Sequence, residues 1–171
     1  MSKKTASNKK KKEPKNSSEE TNLNEFMDNT EMFKHGIYLY SGSEGNEQNK
    51  KEAYRLIKMA ADNGLTLAMH FYAEKLFSGD DKLPINKKEA IRYYKMAADK
   101  GHLDSQHDYA VKLYKGDGVA QNHQEAARYF KMAADEGHLN SLYNYGILLE
   151  DGEGVPQDKE KAFEYYQKAA Q

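Results

Sequence analysis

The stretch Met59–Gly64 reads Met-Ala-Ala-Asp-Asn-Gly, and closely similar stretches return at Met96–Gly101 and Met132–Gly137. The copies begin 37 and 36 residues apart, and a shortened fourth copy, Lys168–Gln171, reads Lys-Ala-Ala-Gln. A fixed period in the thirties is typical of helical repeat arrays, in which each unit buries its apolar face against its neighbours. The chain is therefore predicted to be a repeat protein.

Each copy contains two stretches with helical periodicity, named helix A and helix B in chain order. Helix B follows an N-cap residue, and in three copies a glutamate comes three residues later, a spacing that resembles a capping box. These N-caps are Asn49, Asn86, Asn122 and Asp158. In the second copy the apolar residues Ala90, Tyr93, Tyr94, Ala97 and Ala98 then form one stripe. A glycine follows as a left-handed C-cap at Gly64, Gly101 and Gly137.

Helix A carries a stripe of alternating small and large residues, seen in the second copy as Ala68, Tyr72, Ala73 and Leu76. Small residues let a partner helix approach, and large residues fill the gap between the two helices. Each helix A is predicted to stop before a glycine, at Gly42, Gly79, Gly116 and Gly152. The first copy diverges most, since Glu31 and His35 replace small and aromatic residues and its loop Gly42-Ser43-Glu44-Gly45 lacks the Gly-x-Gly-Val form of the last two copies.

The sequence predicts eight amphipathic helices joined by short links. No stretch alternates apolar and polar residues over the length of a β-strand, so an all-α fold is expected. The string Ala/Ser-x-x-x-Tyr-Ala/Gly-x-x-Leu-x-x-Gly-x-Gly-Val, with Ala-x-x-Tyr-Tyr-x-x-Ala-Ala-x-x-Gly after it, resembles the Sel1-like repeat, a relative of the tetratricopeptide repeat. That resemblance implies a right-handed α-solenoid of four helix-turn-helix repeats that acts as a scaffold or adaptor. The repeat domain is predicted over residues 25–171, with repeats at about 28–64, 65–101, 102–137 and 138–171.

Residues 1–24 are predicted to be a disordered basic tail, because they contain almost no apolar side chains. Seven lysines face three glutamates in residues 1–20, so the remaining chain carries a net charge of −5. The chain has no cysteine and no apolar stretch of signal-peptide or membrane-span length. We therefore expect a cytoplasmic protein without a membrane partner. The Lys9–Lys12 run is expected to be a solvated tail, with a nuclear address or a phosphate-binding arm as the alternative.

No residue pattern predicts a catalytic, cofactor or metal site. The histidines form no His-Glu-x-x-His pair, and His102 and His138 occupy equivalent positions after a capping glycine, which favours a structural role. Without a nucleophile–base pair, an enzyme or a small-molecule substrate is not expected. Nucleic-acid binding is also disfavoured, because the body is acidic and lysine outnumbers arginine 23 to 3. Each arginine follows a glutamate by three residues, which favours an ion pair within the helix over a row of arginines that binds a partner. In the fourth copy the charges are reversed, at Lys161 and Glu164. The arginines are Arg55, Arg92 and Arg128.

A protein or peptide partner is expected on the side of helix A that points away from helix B, the concave side in related stacks. Two positions per repeat lie on this side: Phe33 and Ile37, His70 and Glu74, His107 and Val111, Tyr143 and Ile147. Phe33 and Tyr143 have an alternative role as cover for neighbouring helices or for the segment Leu23–Met27. The last helix B has no polar capping helix after it, which would leave Phe163 exposed, and this suggests a fragment of a longer array or end-to-end self-association. A regulatory repeat module of a larger signalling enzyme is the alternative function.

Overall fold

The computed structural model describes residues 27–42 and 49–171, and these form eight α-helices and no strand. The helices are α1 Asn29–Ser41, α2 Lys50–Asp62, α3 Thr66–Ser78, α4 Lys87–Asp99, α5 Leu103–Lys115, α6 His123–Asp135, α7 Leu139–Asp151 and α8 Lys159–Ala169. The all-α prediction is confirmed. Predictions for residues 1–24, for the Lys9–Lys12 run and for Ser43–Gly45 of the first loop lie outside the described residues.

The four predicted N-caps of helix B all form. The side chains of Asn49, Asn86, Asn122 and Asp158 each accept a hydrogen bond from the backbone N–H three residues later, at 3.0–3.2 Å. The second hydrogen bond of the predicted capping box, from the N-cap backbone N–H to the glutamate side chain, does not form, so that part of the prediction is wrong. The N–H of Asn86 donates at 2.8 Å to the carbonyl of Leu76 in helix A, and the other three caps do the same with their own leucines. Because the short link folds helix B back on helix A, a carbonyl near the end of helix A accepts from this N–H, which is then not free to bind the glutamate side chain.

Helix B ends as predicted. The N–H of Gly64 donates to the carbonyl of Ala61, and the N–H of Leu65 donates to the carbonyl of Ala60, each at 3.0 Å. Gly64 has a φ of +100°. This is a Schellman motif, which satisfies the last carbonyls of the helix and turns the chain into the next repeat.

The helices pack in chain order, so the hairpins α1–α2, α3–α4, α5–α6 and α7–α8 stack side by side. Inside each of the last three hairpins a tyrosine of helix A meets a tyrosine of helix B edge to face, with ring centroids 4.9–5.2 Å apart. The paired alanines of helix B, such as Ala97 and Ala98, are fully buried. A side chain at Gly146 would place its Cβ 2.6 Å from Cε1 of Tyr166, so the missing side chain lets the two helices approach. These contacts form one continuous core along the array.

Across residues 27–42 and 49–171, no helix combines the length and the apolar character needed to span a bilayer.

Candidate partner-binding surface

The predicted partner-binding residues lie on helices α1, α3, α5 and α7, two on each helix. Six of the eight fall into three groups by environment, and Glu74 and Tyr143 lie outside these groups. Phe33 and Ile37 are half-buried and pack against the core, with the ring of Phe33 6.1 Å from that of Phe71 and edge to face. Glu74 is exposed. The alternative role of Phe33, cover for a neighbouring helix, therefore matches its contacts.

His70 and His107 form the second group, and they contact the following repeat. Nδ1 of His107 lies 3.1 Å from Oγ of Ser141, which is fully buried. Nδ1 of His138 lies 2.8 Å from the same oxygen, and the two imidazole rings are 4.9 Å apart. Burial and the neighbouring His138 lower the pKa of His107 to about 4. This histidine is therefore neutral at pH 7 and holds two repeats together.

The junction before it has the same arrangement. Nδ1 atoms of His70 and His102 lie 3.0 and 2.9 Å from Oγ of Ser105. The backbone N–H of Ser105 donates to Nδ1 of His102 at 3.3 Å, so this histidine is the N-cap of α5. His138 caps α7 in the same way. The structural role predicted for His102 and His138 thus takes a specific form, an imidazole N-cap.

Val111 and Ile147 form the third group, because they line one cavity of about 270 Å³ between the third and fourth repeats. Its other apolar walls are Tyr114, Phe130 and Leu148. Tyr143 lies one turn before Ile147 on α7, with 55% of its surface exposed and its ring 5.6 Å from that of Tyr166. The structure therefore brings Val111 and Ile147 to one accessible cavity, whereas Tyr143 lines a separate depression with Glu150 and Tyr166.

Two polar residues border this cavity, and neither side chain forms a hydrogen bond or an ion pair in the described part of the chain. Asn144 lies on the α7 wall and makes no side-chain hydrogen bond there. Lys115 is exposed at the end of α5, and no described carboxylate lies within ion-pair distance of its Nζ. Sequence reasoning did not single out either residue. The only available signal was that each differs from its equivalents in the other repeats.

The helix B surface is occupied by contacts within the protein. Arg55 pairs with Glu52 at 2.6 Å, and the guanidinium of Arg92 lies over the ring of Tyr93 at 4.4 Å from its centroid. Arg128 combines both contacts, with Glu125 at 3.8 Å and Tyr129 at 4.2 Å. A wider depression of about 600 Å³ beside Arg128 is lined by the start of α6 and by Gly154–Pro156. The predicted ion pair thus forms at Arg55 and Arg128, but at Arg92 it is wrong, because Glu89 accepts a hydrogen bond from the side chain of Asn86. All three arginines still make contacts within the protein.

The reversed pair predicted in the fourth copy is wrong, because Lys161 pairs with the N-cap Asp158 at 3.3 Å and not with Glu164. A longer row of contacts was missed altogether. In each case a tyrosine hydroxyl donates to the aspartate that ends the Met-Ala-Ala-Asp sequence of the preceding repeat. The pairs are Tyr93 with Asp62, Tyr129 with Asp99 and Tyr165 with Asp135. The recurring aspartate was the available signal. No group of three metal-ligating side chains forms within the described ranges.

The Sel1 repeat family model matches residues 32–65, 66–102, 103–138 and 139–171. No curated protein sequence matches the chain.

Solved structures similar to the chain include three bacterial proteins. A Sel1 repeat protein from Oxalobacter formigenes is 23% identical, with a TM-score of 0.79 over 88% of this chain and 43% of its own. A protective antigen of uropathogenic Escherichia coli with an SLR fold is 26% identical, with a TM-score of 0.80 over 92% of this chain and 33% of its own. Cysteine rich protein B of Helicobacter pylori is 17% identical, with a TM-score of 0.56 over 71% of this chain and 90% of its own. The chain thus spans less than half the length of the first two proteins.

Proposed function

The chain belongs to the Sel1 repeat family, and on that premise we propose that it is a scaffold that binds a peptide segment of a protein partner on helices α5 and α7. Sel1 repeat proteins generally act as protein-interaction scaffolds, and the family is generally a non-catalytic interaction module. What is proposed for this chain is the binding face and the absence of catalysis.

The observation that carries the proposal is the shared cavity of Val111 and Ile147. On this side of helix A, Phe71 packs against Phe33 and Tyr40 at the first junction, and Lys112 lies over the ring of Phe77 at the second. Between the third and fourth repeats the same side remains open and apolar. An accessible apolar cavity is a typical docking site for a peptide side chain.

The experiment compares partner capture by the full chain and by the double variant Tyr143→Ala, Ile147→Asp. We expect the double variant to lose captured proteins that the wild type retains, because a carboxylate in the cavity opposes burial of an apolar group. The matched control for the Ile147→Asp change is Ile85→Asp, at a side chain that is 62% exposed and outside the cavity. Circular dichroism shows whether each variant keeps its helices. Equal capture by the folded double variant and the wild type would refute this binding face.

A further inference from the structure

We propose that the cavity between the third and fourth repeats receives one aromatic side chain of an acidic peptide, at the place that Phe71 occupies between the first and second repeats. This inference rests on the proposed function and names the chemistry of the peptide. It follows from comparing equivalent positions at successive junctions of the same chain.

Phe71 shows which group fits such a junction. It lies on α3 and faces α1, with its ring edge to face against Phe33 at 6.1 Å and against Tyr40 at 5.5 Å. The repeat spacing makes Asn144 its equivalent on α7. An amide that is much smaller than a phenyl ring therefore stands where the first junction has an aromatic side chain. The remaining space is the cavity beside Val111 and Ile147.

A second replacement keeps this junction open. At the first two junctions a lysine from the following repeat lies over an aromatic ring of the preceding one, Lys75 at 5.3 Å from the centroid of Tyr40 and Lys112 at 3.8 Å from that of Phe77. The equivalent residue at the third junction is Leu148. Its shorter side chain lines the cavity and does not extend across it as a lysine stem does.

The cavity walls are held in place by contacts on their far sides. The hydroxyl of Tyr114 donates to Glu153 at 2.6 Å, and its ring stacks on His123 at 4.7 Å. Phe130 is 3% exposed and packs against His107. A cavity of 270 Å³ is large enough for a phenyl ring, since an apolar cavity of about 150 Å³ is enough to bind benzene. The site is therefore preformed and needs no rearrangement of its walls.

The polar border indicates what flanks the aromatic side chain. Asn144 carries an amide donor and an amide acceptor with no partner in the described residues, so it can hydrogen-bond to a peptide backbone. Lys115 supplies a positive charge at the border and forms no ion pair with a described carboxylate, although it contributes to lowering the pKa of Asp117. A peptide with Asp or Glu next to the aromatic residue matches this charge.

The test is a titration of the full chain followed by amide chemical shifts in two-dimensional NMR. Three probes are compared: acetyl-Glu-Glu-Phe-Glu-amide, the same peptide with Ala for Phe, and acetyl-Lys-Lys-Phe-Lys-amide. We expect the acidic Phe peptide to shift the amides of Val111 and Ile147 and to bind at least tenfold more tightly than the other two.

The decisive variant is Asn144→Phe, because it places the chain's own phenyl ring in the cavity as Phe71 does at the first junction. We expect this variant to bind the acidic Phe peptide at least tenfold more weakly, with a midpoint of thermal unfolding equal to or higher than that of the wild type. The control is Asn140→Phe, the same substitution at an exposed position of α7. Lys115→Glu is expected to reverse the preference between the acidic and the basic Phe peptides.

The outcomes separate this inference from the proposed function. If the Ala peptide binds as tightly as the Phe peptide, or if Asn144→Phe binds like the wild type, the aromatic site is refuted. If the basic peptide binds as well as the acidic one, the acidic flank is refuted. In both cases the scaffold proposal survives, provided that Tyr143→Ala, Ile147→Asp still loses its partners. If that double variant retains them, the proposed face itself is refuted.

Discussion

Glycines with a positive φ occur in two different surroundings along the array. Gly137 has a φ of +84° and nothing within 4 Å of the place where a Cβ would lie. Gly154 has a φ of +71°, and its Cβ would lie in direct conflict with the carbonyl group of His123 in the preceding repeat. The first glycine is needed only for its backbone conformation. The second also lets the link between α7 and α8 rest on the start of α6.

We expect Gly154→Ala to destabilise the protein more than Gly137→Ala. The strain of a left-handed alanine costs about 1 kcal/mol at both positions. Overpacking against a backbone carbonyl adds roughly 1–3 kcal/mol at Gly154. Urea unfolding of both variants measures the difference. Equal losses would show that the link moves away from α6 without cost.

At the scale of helices, the helix B surfaces are joined by a tyrosine of one repeat and an aspartate of the repeat before it. The hydroxyl of Tyr93 donates to Oδ1 of Asp62 at 2.5 Å, and Lys58 binds the other oxygen at 2.6 Å. Burial raises the pKa of Asp62, but the hydrogen bonds from Lys58 and Tyr93 outweigh burial and hold the pKa below its ordinary value. The carboxylate thus stays charged and joins α2 to α4.

Removing one hydroxyl tests how much this contact stabilises the stack. Tyr93→Phe is expected to cost about 1–2 kcal/mol of unfolding free energy, since hydrogen bonds to charged groups fall near this range. Tyr165→Phe is the comparison, because its bond to Asp135 is longer, at 3.2 Å, and more exposed. Its expected loss is about 0.5 kcal/mol. A loss at Tyr165 as large as that at Tyr93 would contradict the dependence on burial.

The stability of the whole molecule depends on the junctions between repeats, because a stacked array is held together by nearest-neighbour interfaces. Two junctions contain a buried serine between two imidazoles, at Ser105 and Ser141. The backbone N–H of each serine donates to Nδ1 of the capping histidine, so that nitrogen must be unprotonated. A proton added there removes the cap and places a positive charge at a helix N-terminus, which is unfavourable.

Acidification is therefore expected to weaken the array as the pH falls below 6.5. The pKa of His107 is about 4 in the folded protein and 6.5 ordinarily, so the unfolded chain binds the extra proton first. This contribution is complete above pH 6.5 and is lost as the pH falls towards 4. With allowance for partial exposure, the expected loss at His107 is about 1–2 kcal/mol.

The measurement is urea unfolding of the wild type and His107→Gln at several pH values. Gln keeps a hydrogen-bonding group near Ser141 but does not titrate, so the variant is expected to show a shallower decline between pH 6.5 and 4. The difference between the two proteins isolates His107 from the lowered pKa of His102 and the raised pKa of Asp108. Parallel curves would refute the assignment.

Much of the fold could be predicted because its causes are local. The N-cap at Asn86, the C-cap at Gly64 and the apolar stripe of helix B depend on neighbours within one or two turns. Their recurrence at a constant period then specifies that hairpins stack in series. The tyrosine–aspartate contacts between helices were missed because one repeat's sequence does not show which side chains of the next it will meet.

The site was only partly predictable for the same reason. The sequence alone determined which residues lie on the outer side of helix A, because that depends on helical periodicity. Only the tertiary structure decided which of them are accessible, because burial depends on the size of side chains 35 or so positions away. His107 is covered since Ser141 is small and close, whereas Val111 and Ile147 border a cavity since Asn144 and Leu148 fail to fill it.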